Sequence, residues 1–92
     1  MKEYITNKIL NEVWLHFKLQ STMKSVNKTD FAFWDYKRID LFSEYVFYCN
    51  LNDIKISITV FNDLLDHITK TLENKGYKVE YNEDKELLYI SQ

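Results

Sequence analysis

Apolar positions recur every four residues at the start of the chain, at Ile5, Ile9, Val13 and Phe17, and Leu10 and Trp14 widen the stripe. This spacing predicts an amphipathic helix over about Lys2 to Leu19, with Lys2, Glu12 and Lys18 on the opposite face. The periodicity lapses from Gln20 to Asp30, which reads as a polar connection. Further on the period changes to two. Ile54, Ile56, Ile58 and Val60 alternate with Lys55, Ser57 and Thr59, as in a strand with one buried and one wet face. Tyr45 to Cys49 reads as its hairpin partner across the turn residues Asn50-Leu51-Asn52-Asp53, and Phe31 to Tyr36 offers a third strand.

A helical period returns with Phe61, Leu64, Leu65, Ile68 and Leu72, predicting a second helix from about Asn62 to Lys75. Asn62 is its expected N-cap, Asp63 and Asp66 lie toward the positive end of the dipole, and Asp66 and Lys70 form an i, i+4 pair. The sole glycine, Gly76, falls where a left-handed residue ends a helix, with Tyr77 closing over Leu72. The chain finishes as a hairpin, Lys78–Tyr81 and Leu87–Ile90, around a polar turn. The expected fold is α+β: an N-terminal helix, an antiparallel hairpin or three strands, a second helix and a C-terminal hairpin. Two helix stripes and one apolar sheet face are reconciled by a four- to five-stranded antiparallel sheet with the helices on one face. At 92 residues without repeats, residues 1–92 read as a single α+β domain.

Composition narrows the chemistry. Lys, Asn, Ile, Tyr and Phe supply 40 of the 92 residues, whereas Ala, Gly, Pro and Arg supply three, a bias toward AT-rich codons that points to low-GC bacteria or their phages and mobile elements. One glycine rules out glycine-rich phosphate loops, and one cysteine rules out an internal disulfide or a Cys-type zinc site. No apolar run is long enough to span a membrane and no secretory leader is read, so a cytoplasmic protein is expected. His16, His67 and Cys49 show no metal-ligand spacing; only a convergence in space could make a metal site or a Cys–His nucleophile of them. Asp30, Asp35 and Asp40 recur at a period that matches neither helix nor strand, and Glu83, Asp84 and Glu86 read as a solvated turn. The chain is therefore expected to be non-enzymatic, with no cofactor and no metal.

The net charge of −2 hides an uneven spread: residues 1–30 carry five lysines and three acids, and residues 61–92 carry seven acids and four lysines. A helix, a second helix and a terminal hairpin also fit a winged helix, an alternative in which the second helix would enter the major groove of DNA. Its exposed Asp63 and Asp66 and the acidic hairpin have the wrong sign for phosphates, which disfavours nucleic acid. Lys24, Lys28, Lys37 and Arg38 beside the aromatics would suit a single strand better than a duplex. Eight of the fifteen aromatics lie in Phe31–Tyr48, as core or as an interface. On the interface reading Trp34, Tyr36, Lys37 and Arg38 anchor a protein partner, and Glu83, Asp84 and Glu86 steer it through a basic groove. A homodimer through the aromatic face or an edge strand would also absorb those rings.

Residues 61–91, with Gly76-Tyr77-Lys78-Val79 and the closing Tyr89-Ile90-Ser91, resemble the C-terminal helix–hairpin module of small phage and mobile-element proteins, although Gln92 stands where a Trp is usual. The resemblance implies a setting rather than a site: stoichiometric inhibition of a host protein such as a defence effector, in the manner of anti-CRISPR proteins.

Overall fold

The computed structural model describes residues 1–25 and 36–92. Trp34, Lys28, the acids Asp30 and Asp35, and nearly all of the expected strand Phe31–Tyr36 lie outside the described residues. Among the described residues the elements follow in the order α1 (Lys2–Ser25), β1 (Tyr36–Ile39), α2 (Leu41–Leu51), α3 (Ile58–Asn74), β2 (Lys78–Asn82) and β3 (Leu87–Ser91). The fold is α+β, with three helices and a three-stranded antiparallel sheet ordered β1-β3-β2 among the described residues. Four or five strands were expected; the difference lies entirely in the middle of the chain.

The stripe Ile5, Ile9, Val13 and Phe17 is buried as its period predicts, and α1 runs six residues past the expected end. Tyr45 to Cys49 belongs to a helix instead of a strand. Asp40 caps it: one carboxylate oxygen accepts from the Ser43 N–H at 3.1 Å and the other from the Ser43 hydroxyl at 2.9 Å. Leu41, Tyr45 and Cys49 then fall one above another at i, i+4 and i+8, and all three are buried. Asn50 to Asp53 does turn the chain, but as a helix stop. Asp53 takes a left-handed φ of 54°, and the Ile54 N–H reaches back to the Cys49 carbonyl at 2.9 Å.

The alternating Ile54–Val60 segment is likewise no strand of the sheet. Residues 52–57 connect the helices, and α3 begins at Ile58, four residues earlier than the stripe suggests. Ser57, in extended conformation, is the N-cap in place of Asn62; its hydroxyl accepts from the Val60 N–H at 3.4 Å. Tyr45 fixes that cap, since its hydroxyl accepts from the Ser57 N–H at 2.9 Å and donates to the Ser57 carbonyl at 3.3 Å. At the other end of α3, Gly76 has φ 94°; its N–H bonds the Glu73 carbonyl and the Tyr77 N–H bonds the Leu72 carbonyl, the paired bonds of a left-handed C-cap. Tyr77 stacks on Phe17 at 5.6 Å, tying the stop to α1.

β2 and β3 pair antiparallel from Lys78↔Ser91 to Asn82↔Leu87, and β1 pairs with the other side of β3 from Tyr36↔Ser91 to Ile39↔Leu88. Side chains alternate across this register. Ile39, Leu88 and Ile90 point into the core with the helix stripes, and Val79 and Tyr81 pack against it. Tyr36, Arg38, Lys78, Glu80, Tyr89 and Ser91 share the opposite face, away from the helices.

Candidate functional site

The residues expected to form one binding surface are divided by the fold. Tyr36 and Arg38 lie on the open sheet face, whereas Lys37, one position out of phase, has the parity of the core face and is half-buried. On the open face two rows of side chains cross the strands. One reads Tyr36, Ser91, Lys78; the next reads Arg38, Tyr89, Glu80. The rings of Tyr36 and Tyr89 lie 5.6 Å apart and tilted at 54°. Together with Lys78, Val79, Glu80 and Ser91 they line an open concavity of about 540 Å³. Tyr89, Lys78 and Glu80 are not among the expected binding residues; the period-two alternation of the last hairpin puts them on one face, and the β1–β3 pairing sets that face beside Tyr36.

Glu83, Asp84 and Glu86 occupy the exposed β2–β3 turn, at the opposite end of the strands from Tyr36. They therefore do not share a patch with it. Two of them, Glu83 and Glu86, act on Tyr81, as does Asp40. Burial raises the Tyr81 pKa, and the negative charges of Glu86, Glu83 and Asp40 raise it further, because each disfavours the phenolate.

A second surface was hidden by the strand reading. Leu51, Ile54, Ile56, Ile58 and Val60 are all exposed, with Leu51 at 69% and Ile58 at 63%. They crowd into ten consecutive residues at the α2–α3 corner, where the Tyr45–Ser57 bonds hold the connection against α2. Behind them on α3, Asn62, Asp63, Asp66 and Glu73 are exposed, and Asp66 pairs with Lys70 at 3.0 Å. A smaller groove of about 230 Å³ lies between α1 and α2, lined by Tyr4, Phe47, Tyr48 and Leu51 and bordered by a Lys8–Glu44 ion pair at 2.7 Å. That bond to Glu44 raises the Lys8 pKa.

The residues considered for catalysis sit apart from both surfaces. Cys49 is fully buried in α2, and His16 is half-buried with its ring edge-on to Phe17 at 4.9 Å. His67 is half-buried on α3, where the Thr71 hydroxyl donates to its carbonyl at 2.7 Å. Among the described residues no three His, Cys, Asp or Glu side chains are grouped to hold a metal ion. The surfaces described are an apolar corner, an acidic turn and an aromatic sheet face.

No protein-family model, curated protein or solved structure matches this chain. Among the described residues no helix is long and apolar enough to cross a membrane.

Proposed function

We propose that this chain is a small non-enzymatic protein-binding module that acts on its partner by occupying it. The exposed apolar side chains Leu51, Ile54, Ile56, Ile58 and Val60 at the α2–α3 corner carry the reading. Five exposed aliphatic residues so close in the chain are unusual on a solvated surface and suit a partner that covers them. The acids of the β2–β3 turn favour a partner with a basic groove, and that contribution weakens as salt rises. The codon-biased composition and the resemblance of residues 61–91 favour a phage or mobile-element inhibitor acting in the host cytoplasm, its target a host protein such as a nucleic-acid-handling defence effector.

The connectivity itself favours a second reading, a nucleic-acid-binding regulator. Helix, strand, two helices and a hairpin, with the first strand beside the last, is the element order of a winged helix. There α3 would read the groove and the β2–β3 turn would be the wing. In this chain α3 opens with Ile58-Thr59-Val60 and continues with Asp63 and Asp66, and the wing carries three acids. Those groups forgo the phosphate contacts that supply most duplex affinity, so the scaffold is better matched to a protein.

Capture from a low-GC bacterial lysate separates the readings, using the immobilised full chain and its Ile56→Asp and Ile58→Asp variants, each checked for folding by circular dichroism. A defined protein retained after nuclease treatment and lost with both variants is expected. Recovery of nucleic acid alone, or equal capture by the variants, would overturn the proposal.

A further inference from the structure

We infer that the open sheet face is a self-association surface and that its occupant is the same face of a second copy. The inference stands on the cross-strand register and is independent of the α2–α3 corner. Arg38 and Glu80 flank Tyr89 from opposite edges of one row, and Tyr36 and Lys78 flank Ser91 from opposite edges of the next. Among the described residues Arg38, Lys78 and Glu80 take part in no ion pair. Opposite charges thus face solvent on one surface, held apart by a tyrosine and two strand spacings.

A two-fold axis running along β3 between two stacked copies exchanges the left and right edges of the face and leaves each row in place. Arg38 then lies over the partner's Glu80 at two symmetric positions, and Lys78 lies over the partner's Tyr36, where a cation meets a ring face. Tyr89 meets Tyr89 at the centre, and the concavity of about 540 Å³ leaves room for the opposing rings. Every charged group on the face gains a partner of suitable kind, and no like charges are brought together.

Size sets the strength of the association. Three strands at ~4.8 Å spacing and five residues at ~3.3 Å give a footprint of roughly 14 by 17 Å. That falls short of the ~800 Å² per partner of a permanent complex. The dimer is therefore weak, concentration-dependent and sensitive to salt.

Charge reversal tests the axis as well as the surface. Sedimentation equilibrium of the full chain over a concentration series should show a reversible dimer. Arg38→Glu and Glu80→Arg should each weaken it by at least ~10-fold, because each sets like charges opposite one another twice. An equimolar mixture of the two variants should dimerise as the unaltered chain does, since both contacts again join unlike charges. Both substitutions are on exposed positions, and thermal unfolding checks that the variants fold. A chain monomeric at every concentration, variants that dimerise normally, or a mixture that stays monomeric would each refute the inference. Ile56→Asp should leave self-association unchanged, which keeps this test separate from that of the corner.

Discussion

Tyr45 holds the α2–α3 corner in place, and Tyr45→Phe measures how much that matters. The ring is fully buried, so the substitution keeps the packed volume and removes only the hydroxyl. Two contacts go: the 2.9 Å bond from the Ser57 N–H and the 3.3 Å bond to the Ser57 carbonyl. The carbonyl keeps the Phe61 N–H at 3.0 Å, so the N–H alone is orphaned. An unpaired buried donor costs about 1–3 kcal/mol. Ser57 is half-buried and water recovers part of this, so the expected loss is ~1–2 kcal/mol. Urea unfolding at neutral pH gives the difference directly, and at this size each kcal/mol lowers Tm by about 4–8 °C. Ser57→Ala is the internal comparison. It spares both backbone groups and removes only the long 3.4 Å cap to the Val60 N–H, so it should cost less, ~0.5 kcal/mol. A negligible effect of Tyr45→Phe, or a larger one of Ser57→Ala, would refute the clamp. The pH dependence has a definite sign. Burial is the main cause of a raised Tyr45 pKa, so the stabilisation is whole below the ordinary tyrosine value. As pH rises past that value the unfolded chain ionises first and stability falls. The Tyr45→Phe protein lacks that proton, so the gap between the two proteins should narrow in alkali.

Three further outcomes test the local reasoning. Nothing lies within 4 Å of a Cβ added at Gly76, so Gly76→Val should cost ~1 kcal/mol or more through the φ of 94° alone, and Gly76→Asn less, by urea unfolding. Asp40→Ala should lose about 0.5–2 kcal/mol of stability with the α2 cap. Because it also removes a negative charge near Tyr81, it should lower the Tyr81 titration midpoint followed by phenolate absorbance. Leu64→Ala, at a fully buried position of α3, should cost about 2–5 kcal/mol.

The sequence is legible where a stripe is long and single-purposed. Ile5 to Phe17 and Phe61 to Leu72 each keep a helical period over more than ten residues and bury it. The closing hairpin is legible because its apolar positions alternate and face one core. α2 is not, because Tyr45-Val46-Phe47-Tyr48-Cys49 has strong strand propensity and α2 has only 11 residues in which to show a period. The expected surface residues are brought together only in part. Tyr36 and Arg38 share a face with residues about half the chain away, whereas the acids expected to act with them sit at the far end of the strands. Pairing register decides both facts, and no local spacing encodes it.

Two helices of this chain stop by the same device, and the difference between them explains the surface proposed to bind. After α3 the left-handed residue is Gly76, which announces itself in any sequence; after α2 it is Asp53, which looks equally like the corner of a hairpin. Reading Asp53 as a hairpin turn makes Ile54 to Val60 a strand whose isoleucines need a core. Reading it as a helix stop makes the same residues a connection and a first helical turn. The isoleucines then have no core to enter, because Leu64, Ile68 and Leu72 with the α1 stripe already fill it. The period-two pattern is present in the sequence, but no strand forms to bury it, and Ile54, Ile56, Ile58 and Val60 all stay exposed. Apolar side chains that the fold leaves uncovered, on a backbone that Tyr45 and Ser57 hold in place, are a physical reason to seek a partner there first.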